Sequence, residues 1–172
     1  LRMGAGYKLE LPFEPVLAFA AKDLSFIGNL EQCNGCGGCR KETPSMCPTF
    51  MATGEEYMST RGRANAIRSA LENKTYSAAV FHKKLDVILS NCLSCKACTT
   101  ECPSNVNMTL LKAELMYARQ KEQGISLRAR VVGSVDLLGK IGCIAPGAAN
   151  ASLKFPLLRK GMESILGISA QR

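Results

Sequence analysis

The segment CNGCGGCRKETPSMCP, residues 33–48, holds four cysteines and ends in a Cys-Pro pair. The segment CLSCKACTTECP, residues 92–103, repeats this arrangement, with three cysteines at steps of three residues and a fourth cysteine followed by proline. Together the two segments contain eight of the nine cysteines in a chain of 172 residues. The organisation of the chain therefore depends on what these thiols bind.

The spacing of the cysteines indicates ligands of an inorganic centre rather than disulfides. Thiols in C-x-x-C-x-x-C runs are poorly placed for separate disulfide bridges and well placed to converge on one centre. The second segment has the C-x2-C-x2-C-x3-C-P spacing of two-cluster 4Fe-4S proteins, and the first has four more residues before its last cysteine. Zinc is the alternative, but it usually takes two separated C-x-x-C pairs. Thiols kept for metal also predict a reducing, cytoplasmic compartment.

Two crossed sets of ligands are expected from this spacing. In two-cluster ferredoxins the cysteine of the trailing Cys-Pro reaches the other cluster. The predicted sets are therefore Cys33, Cys36, Cys39 with Cys102, and Cys92, Cys95, Cys98 with Cys47. Glycines in the first loop allow backbone N–H groups to approach the sulfurs, and they are Gly35, Gly37 and Gly38. Positive charge beside the thiols, which favours reduction of a cluster, comes from Arg40, Lys41 and Lys96.

Hydrophobic periodicity predicts an all-α fold with two cysteine loops separated by two helices. We expect a helix over 63–71, capped by Ser59 or Thr60, with Ala64, Ile67 and Leu71 on one face. Further helices are expected within 16–30, over 77–90, over 108–123 up to Gly124, and over 127–138. The tail, residues 139–172, predicts one or two short amphipathic helices interrupted at Pro146 and Pro156.

Three parts of the chain are expected from these patterns. They are an N-terminal arm and linking helix over 1–30, a two-cluster domain over 31–125, and a helical C-terminal extension over 126–172. The apolar residues of the extension predict docking onto a larger protein, with peripheral contact to a membrane surface as the alternative. No apolar run approaches the ~20 residues of a spanning helix. The chain begins without methionine or a secretory signal, which suggests a fragment of a longer polypeptide.

The remaining polar and charged residues do not point to another activity. The formal net charge is +8, but the basic residues are scattered without interleaved aromatics, so a nucleic-acid partner is not expected. Two oxidised four-thiolate clusters would offset about half of this charge. The chain has neither a G-x-G-x-x-G motif nor a P-loop, which argues against nucleotide binding. His82 is expected at the surface or in packing, and Cys143 as a small buried residue.

Several stretches around the cysteines resemble a known family. The segments CNGCGGCRK, MCPTFMATGEEYMSTRGRANAIRSAL and CLSCKACTTECPSNVNM, with APGAAN and PLLRK in the tail, are similar to the iron-sulfur segment of FAD-linked 2-hydroxyacid dehydrogenases. These are flavoproteins of the D-lactate dehydrogenase and glycolate oxidase type, in which a flavin domain is fused to, or partnered with, an α-helical ferredoxin domain, so the resemblance implies an α-helical ferredoxin-like fold here. The resemblance implies two 4Fe-4S clusters that relay electrons from FAD, on a partner domain or subunit, to a quinone, cytochrome or CCG-type domain.

The resemblance also implies roles for individual residues. The eight cysteines of the two segments would be the cluster ligands, and Arg61, Gly62 and Arg63 match the family's RGR segment. We expect Arg61 and Arg63 to bind a cofactor, close to a cluster or to the flavin domain. This chain has no flavin domain, so we do not expect it to oxidise a hydroxy acid alone. Alternatives are the cluster subunit of an anaerobic glycerol-3-phosphate dehydrogenase, a heterodisulfide reductase-like complex, or a zinc-binding structural module.

Overall fold

The computed structural model of the chain describes residues 8–17, 19, 23–41, 46–72 and 83–169. The regular structure in these ranges is helical, without strands, which confirms the all-α prediction. The helices are α1 Phe26–Glu31, α2 Pro48–Thr53, α3 Thr60–Glu72, α4 Lys83–Ser90, α5 Ala97–Glu101, α6 Met108–Gln123, α7 Leu127–Gly133, α8 Val135–Ile144, α9 Pro146–Lys154 and α10 Pro156–Leu166, with 3₁₀ turns at Gly38–Arg40 and Glu56–Met58.

The chain divides into two compact units, Leu1–Glu122 and Gln123–Arg172. The first unit holds the hydrophobic core, built from one face each of α1, α3, α4 and α6. Helix α3 buries Ala64, Ile67 and Leu71, as predicted, and α6 buries Leu111 and Leu115. Cysteines from both loops belong to the same core, and they are Cys39, Cys98 and Cys102. The cysteine loops are therefore anchored in the core at one end.

Residues 18 and 20–22 of the helix expected within 16–30 lie outside the described residues, and among the described ones the helix is shorter than predicted. Helix α1 begins at Phe26, because Leu24 has a left-handed φ of 63° and Ser25 is the N-cap, accepting a hydrogen bond from the Gly28 N–H. A left-handed, non-glycine residue cannot continue a right-handed helix. The prediction was wrong here because apolar periodicity continues through a residue where the backbone turns.

Residues 8–17 of the N-terminal arm form no helix, and they contact α1 and α6 within the first unit. The ring of Phe13 meets the ring of Phe26 edge to face, with centroids 5.5 Å apart. The Glu114 carboxylate on α6 is fully buried and accepts hydrogen bonds from the Val16 N–H at 3.1 Å and the Leu17 N–H at 2.5 Å. One buried carboxylate thus fixes the arm to α6.

The other helix predictions have mixed outcomes. Residues 77–82 of the helix expected over 77–90 lie outside the described residues, and its remainder is α4, which buries Leu85 and Leu89. Helix α6 ends before Gly124, which has a left-handed φ of 78°, as predicted. Ser59 caps α3, because its Oγ accepts a hydrogen bond from the Gly62 N–H at 2.9 Å.

The second unit consists of four short helices, α7 to α10. The single helix expected over 127–138 is divided at Ser134, and α9 and α10 each begin at a proline, Pro146 and Pro156. The described residues of these four helices include no buried side chain. Cys143 is exposed, contrary to the prediction, because its helix has no core of its own.

The helices described are all too short or too polar to cross a membrane.

Candidate metal centres

Four thiols from both cysteine segments line one cleft in the first unit. They belong to Cys92, Cys95 and Cys98 of the second segment and to Cys47 of the first. The cleft has a volume of about 20 Å³, and its polar lining includes Thr49, Arg63 and Thr109. The chain thus brings together the set of four cysteines that the crossed arrangement requires.

Cys47 lies among several hydrogen-bonding groups. Its Sγ accepts from Arg63 Nη1 at 3.4 Å, is 3.3 Å from Thr49 Oγ1, and donates to Met58 O at 3.2 Å. Burial alone raises the pKa of the Cys47 thiol, but the hydrogen bonds from Thr49, the Phe50 N–H and Arg63 outweigh burial, so the pKa is lowered. A lowered thiol pKa favours the deprotonated form that binds metal.

Cys98 lies against the N-terminus of α6. Burial raises the pKa of its thiol, and hydrogen bonds from the backbone N–H groups of Met108 and Thr109 oppose the rise. These N–H groups have no partner within the helix, and they carry the positive end of the helix dipole, so they favour a negative sulfur. The neighbouring Thr109 Oγ1 is buried and has no hydrogen-bond partner among the described residues.

Cys39 of the first segment lies in the same way against the N-terminus of α3. Its Sγ accepts a hydrogen bond from the Arg61 N–H at 3.3 Å, which opposes the rise in the Cys39 pKa caused by burial. A side chain added at Gly38 would contact both Cys36 Sγ and the ring of Pro103, each 3.7 Å away. The loop of the first three cysteines therefore lies beside the Cys102-Pro103 corner.

The RGR segment lies between the two sets of thiols. Arg61 reaches Cys39 through its backbone N–H, and Arg63 reaches Cys47 through its guanidinium. A Cβ atom at Gly62 would lie 1.9 Å from the Glu56 carbonyl oxygen, so only glycine fits between them. The structure places both arginines beside predicted ligands, while their role in binding a cofactor stays a prediction.

The two arginines have different electrostatic surroundings. The Arg61 side chain is paired with the Glu56 carboxylate, at 2.7 Å and 2.9 Å, and Glu56 also pairs with Arg40 at 2.9 Å. Arg63 is 1% exposed, and its guanidinium bonds to Ile88 O, Thr49 Oγ1 and Cys47 Sγ. No carboxylate among the described residues lies within salt-bridge distance of Arg63.

The backbone of the second loop repeats that of the first. Gly35 and Gly37 have left-handed φ angles of 79° and 76°, and the equivalent residues Ser94 and Lys96 have φ angles of 53° and 65°. The glycines of the first segment signalled this conformation, but the second segment adopts it with side chains for which it is unfavourable. A conformation kept against such a preference indicates that the loop geometry is needed.

Two basic residues that sequence reasoning missed orient the first cysteine of each loop. Arg68 Nη2 donates to the Cys33 carbonyl at 2.9 Å, and Lys112 Nζ donates to the Cys92 carbonyl at 2.6 Å. Both belong to the long helices behind the loops, α3 and α6. Arg68 follows Cys33 by 35 residues and Lys112 follows Cys92 by 20, so spacing along the chain carried no signal for this pair.

The residues present fit an iron-sulfur cluster in the cleft. A cubane cluster takes four thiolates, and the cleft offers four thiols together with N–H groups, a guanidinium and an unpaired buried hydroxyl. In the ranges that the structure describes, no three His, Cys, Asp or Glu side chains are grouped closely enough to hold a single metal ion.

A comparison with models of protein families identifies the cysteine-bearing part of the chain. Residues 29–106 match the family described as "4Fe-4S dicluster domain". Residues 29–106 are thus similar to this family, and the match covers less than half of the chain. All eight cysteines of the two crossed sets, and both arginines of the RGR segment, lie inside this matched dicluster domain. No solved structure gives a significant match to the chain.

The similarity of the chain to curated proteins extends beyond residues 29–106. The D-2-hydroxyglutarate dehydrogenase of Escherichia coli is 24% identical over 80% of this chain and 17% of its own length. That of Pseudomonas putida is 26% identical over 69% of this chain and 15% of its own length. The glycolate oxidase iron-sulfur subunit of Escherichia coli is 35% identical over 45% of this chain and 17% of its own length. The chain thus spans about a sixth of the length of these relatives.

These relatives confirm the predicted resemblance to the iron-sulfur part of 2-hydroxyacid-oxidising enzymes. The dicluster domain is related to the iron-sulfur segments of such oxidoreductases, which indicates electron transfer.

His82 lies outside the described residues, so its expected surface position stays a prediction.

Proposed function

We propose that the chain is an electron-transfer domain with two 4Fe-4S clusters and crossed ligation. One cluster would be held by Cys92, Cys95, Cys98 and Cys47, and the other by Cys33, Cys36, Cys39 and Cys102. The observation that carries this proposal is the position of Cys47, which lines one cleft with the three thiols of the other segment. Support for the second set comes from Pro103, which places Cys102 beside the loop of Cys36.

A bound 4Fe-4S cluster supplies reversible one-electron transfer between two oxidation states. The residues of this chain position the thiolates and balance their charge. The N-termini of α3 and α6 direct N–H groups at Cys39 and Cys98, while Arg63 lies against Cys47. Such donors stabilise the more negative state of a cluster and raise its reduction potential.

We infer that the electrons come from an FAD-dependent dehydrogenase acting on a D-2-hydroxy acid. Support comes from the similar proteins, whose names state oxidation of D-2-hydroxyglutarate or glycolate. Oxidation of such an acid to the 2-oxo acid releases two electrons and two protons. The electrons would pass singly through this domain to a quinone, cytochrome or CCG-type domain, and the protons would leave through the flavoprotein to solvent. The chain is not catalytic alone under this proposal.

The crossed ligation can be tested by anaerobic alkylation of serine variants, read by mass spectrometry. In Cys102→Ser, we expect Cys33, Cys36 and Cys39 to become reactive while the second loop stays protected. In Cys47→Ser, the pattern should reverse. Cys143→Ser is the matched control, because Cys143 is exposed and lies outside the dicluster domain, and it should leave both loops protected. Reactivity confined to the loop of the mutated segment itself would contradict crossing.

We also propose that the apolar surface of α7 to α10 docks onto the remainder of the larger redox assembly. Phe155, Leu157 and Ile165 are more than half exposed within these helices, and the chain spans only about a sixth of the length of the similar D-2-hydroxyglutarate dehydrogenases. The alternative is peripheral contact on the cytoplasmic face of a membrane. Co-sedimentation with anionic vesicles distinguishes the two, because docking onto protein predicts no enrichment of the chain on the vesicles at physiological salt.

A further inference from the structure

We propose that the cluster held by Cys92, Cys95, Cys98 and Cys47 is the electron-exit end of the relay, and that Arg63 and Thr109 set its higher reduction potential. This inference rests on the proposed two-cluster function. It follows from a difference in burial and pairing between the donors that surround the two thiol sets.

Arg63 is the first of these donors. Its guanidinium is buried, contacts Cys47 Sγ, and has no carboxylate partner among the described residues. A buried cation is strongly unfavourable unless an anion balances its charge, and charges interact more strongly inside a protein than in water. The anion available to Arg63 is the thiolate of Cys47 together with the cluster it would bind. Arg63 therefore stabilises the state in which that centre is most negative.

Thr109 is the second donor. Its hydroxyl is buried in the lining of the same cleft and has no hydrogen-bond partner among the described residues. Burying a hydroxyl without a partner is unfavourable, so such an atom needs an explanation in the function of the site. A hydroxyl lining the four-thiol cleft can donate to a sulfur of the bound centre. This donation stabilises the reduced state in the same direction as the charge of Arg63.

The first thiol set has weaker equivalents of these donors. The buried Ser59 hydroxyl lies within hydrogen-bond reach of Cys39, but its proton is already donated to Glu56 O at 2.7 Å. Each thiol set has one cysteine at a helix N-terminus. The Arg61 N–H of α3 donates to Cys39, and the backbone N–H groups at the start of α6 donate to Cys98. The Arg61 side chain, however, shares the Glu56 carboxylate with Arg40, so these three groups leave one net positive charge, and that charge lies nearer to solvent than the buried Arg63. The Glu56 and Arg40 side chains are both 43% exposed, so solvent screens their charges further. The difference between the sets therefore leaves the second set with the higher potential.

The direction of electron flow follows from this difference. One electron enters at the first thiol set, passes to the second set, and leaves to a one-electron acceptor, with no bond or proton change in this chain. The exit surface is the second loop, where Cys95 and Lys96 are exposed and Leu93 is 67% exposed. An acceptor with an acidic, partly apolar docking surface fits this loop.

The test is a redox titration, monitored by EPR, of variants that retain one cluster each. In Cys102→Ser, which should keep the second set alone, we expect a higher midpoint potential than in Cys47→Ser, which should keep the first. Adding Arg63→Met to Cys102→Ser should lower the equilibrium constant for one-electron reduction at least about tenfold, or ~59 mV. Adding Thr109→Val to Cys102→Ser should lower the same equilibrium constant about threefold.

Two matched variants separate tuning from folding. Arg63→Lys keeps the positive charge and should recover most of the potential lost in Arg63→Met. Thr109→Val removes an unpaired hydroxyl, so the urea midpoint of the cluster-free chain should stay unchanged or rise while the potential falls. Thr100→Val is its control, because the Thr100 hydroxyl is exposed and already bonds to Ala97 O; this substitution should leave the potential unchanged.

Two results would overturn the inference while leaving the proposed function intact. One is a midpoint potential of the second set equal to or below that of the first. The other is an unchanged potential in both Thr109→Val and Arg63→Met. Absence of iron and sulfide from the unmodified chain would instead contradict the proposed function itself.

Discussion

Replacing Gly62 by alanine should disrupt both thiol sets at once. The new Cβ would lie 1.9 Å from the Glu56 carbonyl oxygen and 2.6 Å from both Glu56 C and Tyr57 Cα. A relaxed carbon–oxygen contact is about 3.3 Å, so α3 must move away from the preceding turn by about 1.4 Å. The obstacle is backbone on one side and helix on the other, so no side chain can rotate away. The Arg61 N–H and the Arg63 guanidinium would move away from their sulfurs with the helix.

The expected loss of unfolding free energy is about 3 kcal/mol. Overpacking against backbone destabilises by about 3 kcal/mol, and losing the Ser59 cap adds about 1 kcal/mol. The higher helix propensity of alanine returns about 1 kcal/mol. Urea unfolding of the cluster-free chain, followed by far-UV circular dichroism because the chain lacks tryptophan, measures this loss. Iron and sulfide after reconstitution should fall in both sets.

Gly139→Ala in α8 is the matched control, since a Cβ at Gly139 meets no atom within 4 Å. It should be neutral or stabilise by up to about 1 kcal/mol. Equal stability and equal iron content in the Gly62→Ala and Gly139→Ala variants would refute the argument that Gly62 is required by close packing.

Three further predictions concern the rest of the first unit. Asn29→Ala should destabilise the cluster-free chain by about 2–4 kcal/mol in urea unfolding, because the fully buried Asn29 side chain donates to Asn105 O and accepts from the Asn107 N–H; a loss below 0.5 kcal/mol, about that of a neutral surface change, would contradict it. Ser94→Gly should stabilise the cluster-free chain by about 1 kcal/mol, because glycine accepts the left-handed φ of 53°; any destabilisation would count against the loop conformation. The Arg61 hydrogen bond lowers the pKa of Glu56, so this carboxylate stabilises the fold above its unfolded-state pKa and the stabilisation is lost as pH falls through the folded-state pKa; Glu56→Gln should therefore flatten the acid limb of stability against pH, and an unchanged limb would exclude the ion pair as its source.

The sequence predicted the parts of the molecule that depend on local spacing. Cysteine steps of three residues predicted two loops, and apolar positions in 60–72 and 108–123 predicted the faces of the two long helices. Local spacing also failed where a single backbone angle decides the outcome. Leu24 ends the helical pattern before α1, and Ser134 divides α7 from α8, although neither residue interrupts the apolar periodicity.

Features of the site that depend on long-range packing could not be predicted from the sequence. The RGR segment was expected near a cofactor, but the different electrostatic surroundings of its two arginines follow from Glu56, which pairs with Arg61 and not with Arg63. The unpaired hydroxyl of Thr109 emerges only when α6 is placed against the loop of Cys98. Threonine at the start of a helix is common, so its sequence carried no signal.

Iron and acid-labile sulfide per chain, measured on anaerobically prepared protein together with an EPR spectrum after dithionite reduction, test the central claim most directly. The account predicts about eight of each per chain, with interacting S = 1/2 signals from two reduced clusters. About four of each would mean that one crossed set does not hold a cluster. Zinc without sulfide would contradict the account, because the eight thiols would then form a structural module that transfers no electrons.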